Sequence, residues 1–411
     1  MGSLSLEERN GCSMKSNRFI VGLLLIVCLL FLPGCWGKRE VENLAPLIAI
    51  GFDIGQKPNT YLITGQYALP QKGANGPEVE NWTMSFEAST LREAYEMTYK
   101  VLDRTPFNGS AKLLVIGEDL AKAGFKDMLD FTQRYSEFRR TIYLVLTKGK
   151  AQDLLNVKLR NGELPALSVK ADIEQGNELS SFPVVRLGHY LTVLGRKSTA
   201  PIIPLVKSVK SGEGGIEYQA EGKDAGEIKL EGAGVFRGDR LVGFLTDEET
   251  KGYMWLENDV VHRFIDTVGI GESKINFSAH VLSSKTKYKV ADNNGKIELQ
   301  YQIKTSVAVE EVLGQDKQLS ETEWSDLMKE TEKTFAKAIQ KECELSIKKE
   351  RELGLDFLGI GRHIEQKNPT YWKTVKDQWE QKIADFPVSL DVQVRIDHSG
   401  MSQNSVTTHG N

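Results

Sequence analysis

Residues 112–146, KLLVIGEDLAKAGFKDMLDFTQRYSEFRRTIYLVL, decide the architecture. The run KLLVI at 112–116 is short and apolar and reads as a buried strand. TIYLVL at 141–146, rich in branched and aromatic side chains, reads as a second. The segment from about 119 to 131 between them reads as a helix, and 151–155 as a short further one. Strand and helix alternating at this spacing require a mixed sheet with helices packed on it, an α/β arrangement rather than a β-sandwich.

Upstream, APLIAIGFDI (45–54), YLITGQYAL (61–69) and residues 82–86 read as strands, and the turn residues GQKPN at 55–59 make the first two a hairpin. The Ser89-Thr90 pair then supplies a hydroxyl cap to a helix carrying Leu91, Ala94, Tyr95, Thr98 and Val101 at helical spacing.

Downstream the pattern loosens from 161 to 229, where Pro165, Pro183, Pro201 and Pro204 punctuate short apolar pieces. Residues 211–226, dense in glycine and charge, read as a loop or a wide hairpin turn. Strands at 228–236 and 241–245 flank Arg237-Gly238-Asp239-Arg240. That tetrad contains an adhesion tripeptide, but glycine and aspartate at such a tip suit a hairpin turn. Thr246 caps a short helix running to Trp255.

The last third repeats the theme. Strands are expected at 275–282, 288–290 and 297–309, with the turn DNNG at 292–295, and a long helix at 322–353 carries Trp324, Leu327, Phe335 and Ile339 on one stripe. Cys343 falls close to that stripe and reads as a small buried apolar residue rather than a reactive thiol. Gly354 ends the helix, a second helix is expected at 371–383, a final strand at 388–396, and a frayed tail at 401–411.

At 411 residues with 40% apolar content, the chain can bury more than one core. Its 52 Lys and Arg are interspersed with 56 Asp and Glu, giving a formal charge of −4. No basic stripe runs along it to track a phosphate backbone, so nucleic acid is not expected as a partner.

The N-terminal end speaks about location. The 14-residue uncharged run FIVGLLLIVCLLFL at 19–32 follows Lys15 and Arg18. A membrane-spanning helix needs about 20 apolar residues, so this run fits a secretory leader, with an uncleaved anchor helix as the other reading. Residues 1–34 hold three basic and two acidic side chains, a net +1, which leaves −5 on the remainder. The four cysteines are Cys12, Cys28, Cys35 and Cys343, and cleavage before Cys35 leaves two, which make no disulfide framework. Leu32-Pro33-Gly34-Cys35 is similar to a bacterial lipoprotein signal, in which the cysteine receives diacylglycerol and becomes the first mature residue; Pro33 departs from the usual small or hydroxyl residue. Cys35 is therefore the candidate lipid-attachment residue, since two or three acyl chains hold a protein on a bilayer where one does not.

Catalytic patterns are missing from the sequence. The histidines, His189, His262, His280, His363, His398 and His409, lie apart, without metal-ligand spacing or a paired cysteine. There is no nucleophile elbow, no phosphate-binding loop and no dinucleotide fingerprint between a strand and a helix; GLDFLGIG at 354–361 follows a helix, the wrong side for a phosphate cradle. Adjacent carboxylates at Glu118-Asp119 and Glu310-Glu311 say nothing about convergence in space. No cofactor and no metal site is expected.

A set of short stretches resembles the Ger(x)C family, the lipoprotein C subunits of spore nutrient germinant receptors. They are CWGKREVENLA at 35–45 with IAIGFD at 48–53, then AKLLVIGE at 111–118 with AKAG at 121–124, Arg134 through Arg140, GAGVF at 232–236 with LVG at 241–243, and DFLGIG at 356–361 with Pro369, Trp372 and Phe386. They occur in family order from Cys35 to about Gly400. Asn108-Gly109-Ser110 departs from relatives that carry a histidine there. The resemblance implies a three-domain exported protein of α/β and α+β class, each domain a mixed β-sheet with packed helices. The expected divisions are a signal peptide at 1–34, an N-terminal domain at 35–165, a middle domain at 166–265, a C-terminal domain with the long helix at 266–400, and a tail at 401–411. It implies a non-enzymatic subunit on the outer face of the spore inner membrane, acting with two integral membrane partners, the A and B subunits. Two other readings stand beside it: an extracytoplasmic lipoprotein that binds a small nutrient alone, and a cell-envelope hydrolase.

Overall fold

The computed structural model describes residues 43–73, 76–159, 162–210, 225–270, 274–293, 295–314 and 319–398. The expected leader at 1–34, Cys35, most of the 211–226 loop and the 401–411 tail lie outside these residues.

The chain opens with β1 (Leu44–Ile54), β2 (Tyr61–Gly73), β3 (Gly76–Ala88), α1 (Leu91–Val101), β4 (Thr105–Phe107) and β5 (Leu113–Gly117). There follow α2 (Glu118–Ala123), α3 (Lys126–Arg134), β6 (Tyr143–Thr147), α4 (Ala151–Leu155), β7 (Lys158–Leu159), α5 (Pro165–Leu179) and α6 (Leu187–Leu194). Next come β8 (Ile202–Lys210), β9 (Ala225–Arg237), β10 (Arg240–Leu245), α7 (Asp247–Leu256), β11 (Phe264–Ile270), β12 (Ile275–Asn293) and β13 (Lys296–Leu313). The chain closes with α8 (Glu321–Leu353), α9 (Ile360–Lys367), α10 (Pro369–Val375), α11 (Trp379–Lys382) and β14 (Val388–His398).

The mixed-sheet architecture with packed helices is as the sequence predicts. In the first sheet the order is β10-β9-β8-β6-β5-β1-β2-β3, with β4 on β1 and β7 on β9. Its centre is parallel, with β1 beside β5, β5 beside β6 and β6 beside β8. Those strands are buried on both faces, as a continuous run such as LLVIG requires. One face is covered by Leu91 and Ala94 of α1, Leu120 of α2, Met128 of α3 and Tyr190 of α6. The other is covered by Leu154 of α4 and by Ala166, Val169 and Ile173 of α5. The second sheet, β11-β12-β13-β14, lays Trp324, Leu327, Phe335, Ile339 and Cys343 of α8 over one face.

Several expectations are corrected. The middle segment has no sheet of its own: β8 pairs with β6 through Leu146 and Leu205, so β8, β9 and β10 extend the first sheet. From Ala45 onward the chain forms one compact unit. The single helix expected at 119–131 is two, because Gly124 takes φ +107° and turns the chain between α2 and α3. Helix α5 arises where Pro165 reads as a breaker; proline fits the first helical turn, and Ala166, Val169 and Ile173 behind it are buried at i, i+3 and i+7. The strands expected at 275–282 and 288–290 are one, β12, carried through two bulges. In place of one helix at 371–383 stand α10, α11 and short 3₁₀ turns.

Other expectations hold. Thr90 accepts from Glu93 N, Thr246 and Ser320 each close a capping box, and Gly354 ends α8 in the left-handed region at φ +61°. The tip Arg237-Gly238-Asp239-Arg240 is a hairpin turn, and Asp239 Oδ2 accepts from Lys126 N at 2.9 Å, docking the turn on the start of α3.

Candidate functional site

Cys35 lies outside the described residues, and no helix among them is long and apolar enough to cross a membrane.

Asp53 ends the IAIGFD stretch buried in β1. Its carboxylate accepts from Ala151 N at 2.8 Å and Gln152 N at 2.9 Å and so caps α4 from the neighbouring strand. Burial pushes this carboxyl above its ordinary value, and the two backbone donors pull the other way. Asn108 is buried and donates from both its backbone and its side chain to Glu137 Oε2 at 3.3 and 3.2 Å.

The DFLGIG turn after α8 gathers the distant C-terminal motif residues into one knot. Asp356 Oδ1 accepts from Ile360 N at 2.7 Å; Oδ2 accepts from Gly361 N at 2.5 Å and Trp379 Nε1 at 2.7 Å. A buried carboxylate thus satisfies the opening N–H groups of α9. Gly359 takes φ +66°, a left-handed conformation that favours glycine, and a Cβ on Gly361 would lie 2.7 Å from Trp379 Nε1 and 2.9 Å from Trp372 Cη2, so Gly361 has no room for a side chain. Pro369 opens α10 behind the Asn368 cap, and Trp372, Trp379 and Phe386 pack edge to face at 5.4 and 5.1 Å. Glu350 Oε2 accepts from Leu358 N at 2.7 Å and closes the turn from α8.

This knot joins the two sheets. Ala200 N donates to Asp356 O at 2.5 Å, Arg362 N donates to Ser198 O at 3.0 Å, and Ser198 Oγ donates to Glu365 at 2.9 Å. Arg362 Nη2 reaches both oxygens of Glu257, at the end of α7. Burial raises the Glu257 carboxyl to about 7 against the pull of Arg362, and raises Asp356 to about 6 against its three donors. Glu350 is pushed well above the usual range by burial, with the charge of Asp356 adding to it. His363 stacks on Tyr288 with ring centres 3.7 Å apart, and neither ring nitrogen has a hydrogen-bond partner. Burial and then Arg362 hold it down at about 3, so the imidazole is neutral. Two cavities flank the knot: one of about 160 Å³ beside His189, Tyr253, Asp259 and Arg362, and one of about 440 Å³ beside Arg196, Arg237 and Lys376.

The remaining candidates do not converge. His262 stacks on His280 at 5.3 Å, His398 ends β14, and His409 lies outside the described residues. Glu118 is paired with Lys122 at 2.7 Å, and Glu310 lies 4.0 Å from His280. Among the described residues no group of three metal-ligating side chains comes together. Cys343 is fully buried. Sequence reasoning found Asp356, Gly359, Gly361, Pro369, Trp372 and Phe386 but missed Arg362, Glu257 and Ser198. Ser198 belongs to a segment with no periodic signal of its own and Glu257 lies just past the expected Thr246–Trp255 helix, and only the folded chain brings them to the motif.

Fold and site together define a two-sheet α/β and α+β body whose C-terminal motif residues form a buried polar junction between its sheets. Two family models match it in tandem: "Spore germination protein N-terminal domain" over residues 37–208 and "Spore germination B3/ GerAC like, C-terminal" over residues 231–400. The chain belongs to this family of spore germination proteins. Spore germination protein KC of Bacillus subtilis (strain 168) is 27% identical over 94% of this chain and 97% of its own length. Spore germination protein B3 of the same organism is 26% identical over 92% and 97%. A solved structure titled "Crystal Structure of the GerBC protein" is 20% identical, covers 86% of this chain and 98% of its own, and superposes with a TM-score of 0.54, which shows a shared fold.

Proposed function

We propose that this chain is the lipid-anchored, non-enzymatic C subunit of a spore nutrient germinant receptor. In this reading the leader 1–34 is removed, acyl chains on Cys35 fasten the body to the outer face of the spore inner membrane, and it works beside two integral membrane subunits, A and B. The observation that carries the reading is the tandem pair of germination-family matches, the first beginning at residue 37, two positions after Cys35. The use of Asp53 and Asp356 as caps for main-chain N–H groups supports a structural rather than a bond-breaking role for those carboxylates. Acylation supplies about 0.8 kcal/mol per buried CH₂, so the anchor, rather than any charge on the mildly acidic body, sets membrane residence.

The test is Cys35→Ala in spores. The variant should leave the membrane fraction and slow the response to nutrient. Membrane retention with an unchanged nutrient response overturns the reading.

A further inference from the structure

The 440 Å³ cleft beside the junction has a size typical of small-molecule sites and lies where the two sheets meet, a common location for them. One wall carries Arg196 and Lys197, just past α6, and Arg237 at the β9–β10 turn. The other carries Lys376 and Asp377, in the 3₁₀ turn before α11, and Glu380 within α11. Two ion pairs span the opening, Lys197 Nζ to Asp377 at 3.1 Å and Arg237 Nε to Glu380 at 3.4 Å, both between exposed side chains. Such pairs hold little energy in water and exchange readily for a ligand's charge. Among the described residues Arg196 and Lys376 make no ion pair; Asp356, bonded to Ile360 N, Gly361 N and Trp379 Nε1, also lines the cleft, so its four basic side chains exceed its three acidic ones by one on a chain whose total is −4. Phe236 and Trp379, both buried, line it beside Asp356, whose carboxylate accepts from the Trp379 indole N–H.

We propose that this cleft binds a small dianion, a dicarboxylate or a phosphate-bearing molecule, between Arg196 and Lys376. The ligand also competes with Asp377 and Glu380 for Lys197 and Arg237. Bound there, it bridges the segment after α6 and the segment at α11, and so stiffens the junction of the two sheets. The site does not depend on the receptor reading, since it rests on the cleft and its charges alone.

The experiment is calorimetric titration of the full chain in detergent micelles, at low ionic strength and pH 8, with succinate, with inorganic phosphate and with uncharged succinamide. Saturable binding of at least one dianion and none of succinamide is expected; succinate alone assigns a carboxylate ligand and phosphate alone a phosphate-bearing one. The Arg196→Gln/Lys376→Gln double variant should weaken binding by about 10-fold or more, while Lys285→Gln on β12 should leave it unchanged. The Asp377→Asn/Glu380→Gln variant should tighten binding, an outcome that loss of folding does not mimic. Absence of saturable binding of both dianions at millimolar concentration, an affinity insensitive to Arg196 and Lys376, or no tightening in the Asp377/Glu380 variant overturns the proposal.

Discussion

Arg362 Nη2 donates to both carboxylate oxygens of Glu257, at 2.8 and 2.7 Å, across 105 residues of sequence. The side chains are 25% and 14% exposed, so the pair is largely withdrawn from water and loses little to screening. Arg362→Met removes the partner that holds the Glu257 carboxyl down at about 7, leaving a buried, protonated carboxyl without its two bonds to the guanidinium, and a loss of about 1–3 kcal/mol is expected from urea denaturation. Replacing both residues by apolar ones of similar volume should recover most of that loss.

Asp356 confers a pH dependence with a definite sign. It ionises at its ordinary 3.8 when unfolded and at about 6 when folded, so between these values the folded state holds a proton that the unfolded state has released. Its contribution to stability is present below 3.8 and is lost as pH rises through about 6. Asp356→Asn removes the titration, and the stability gap between wild type and variant should be about 1–2 kcal/mol smaller at pH 7.5 than at pH 5. Denaturation midpoints at the two pH values check it; a gap that grows with pH contradicts the assignment.

Gly361→Ala puts a methyl against Trp379 Nε1, Asp356 Oδ2 and Trp372 Cη2, all within 2.9 Å. Overpacking of this kind costs about 1–3 kcal/mol, and thermal unfolding should show it without a change in secondary structure at low temperature.

Cys343 has no exposed surface, and burial followed by the neighbouring Glu342 charge raises its thiol well above the usual value. The thiolate is the reactive form, so peptide-level mass spectrometry after iodoacetamide should find Cys343 unmodified in the native protein and alkylated once it is unfolded. Rapid alkylation under native conditions contradicts the packing of α8 on the second sheet.

Much of the secondary structure was legible because it rests on neighbours in the chain. The apolar run of β5, the hydroxyl caps at Thr90, Thr246 and Ser320, and the stripe of α8 are local signals, and each element forms at or close to its expected bounds. Proline-rich stretches misled for the same reason. Pro165 breaks a helix interior yet suits a first turn, and the difference lies in whether Ala166, Val169 and Ile173 find a sheet face to cover. The motif at 356–361 was visible as a pattern of aspartate and glycines, but its meaning was not, since the Trp379 indole that the aspartate holds comes from another helix.

The sequence by itself determined the alternation of strand and helix, the caps, the buried character of Cys343 and the family to which the chain belongs. Only the tertiary structure decided that β8, β9 and β10 join the first sheet, and that Ser198, Glu257 and Arg362 meet at the DFLGIG turn. The physical reason is range: capping and periodicity act within a turn or two of backbone. Strand pairing and burial of a charge depend on which distant surfaces are left without a partner once the local elements have formed.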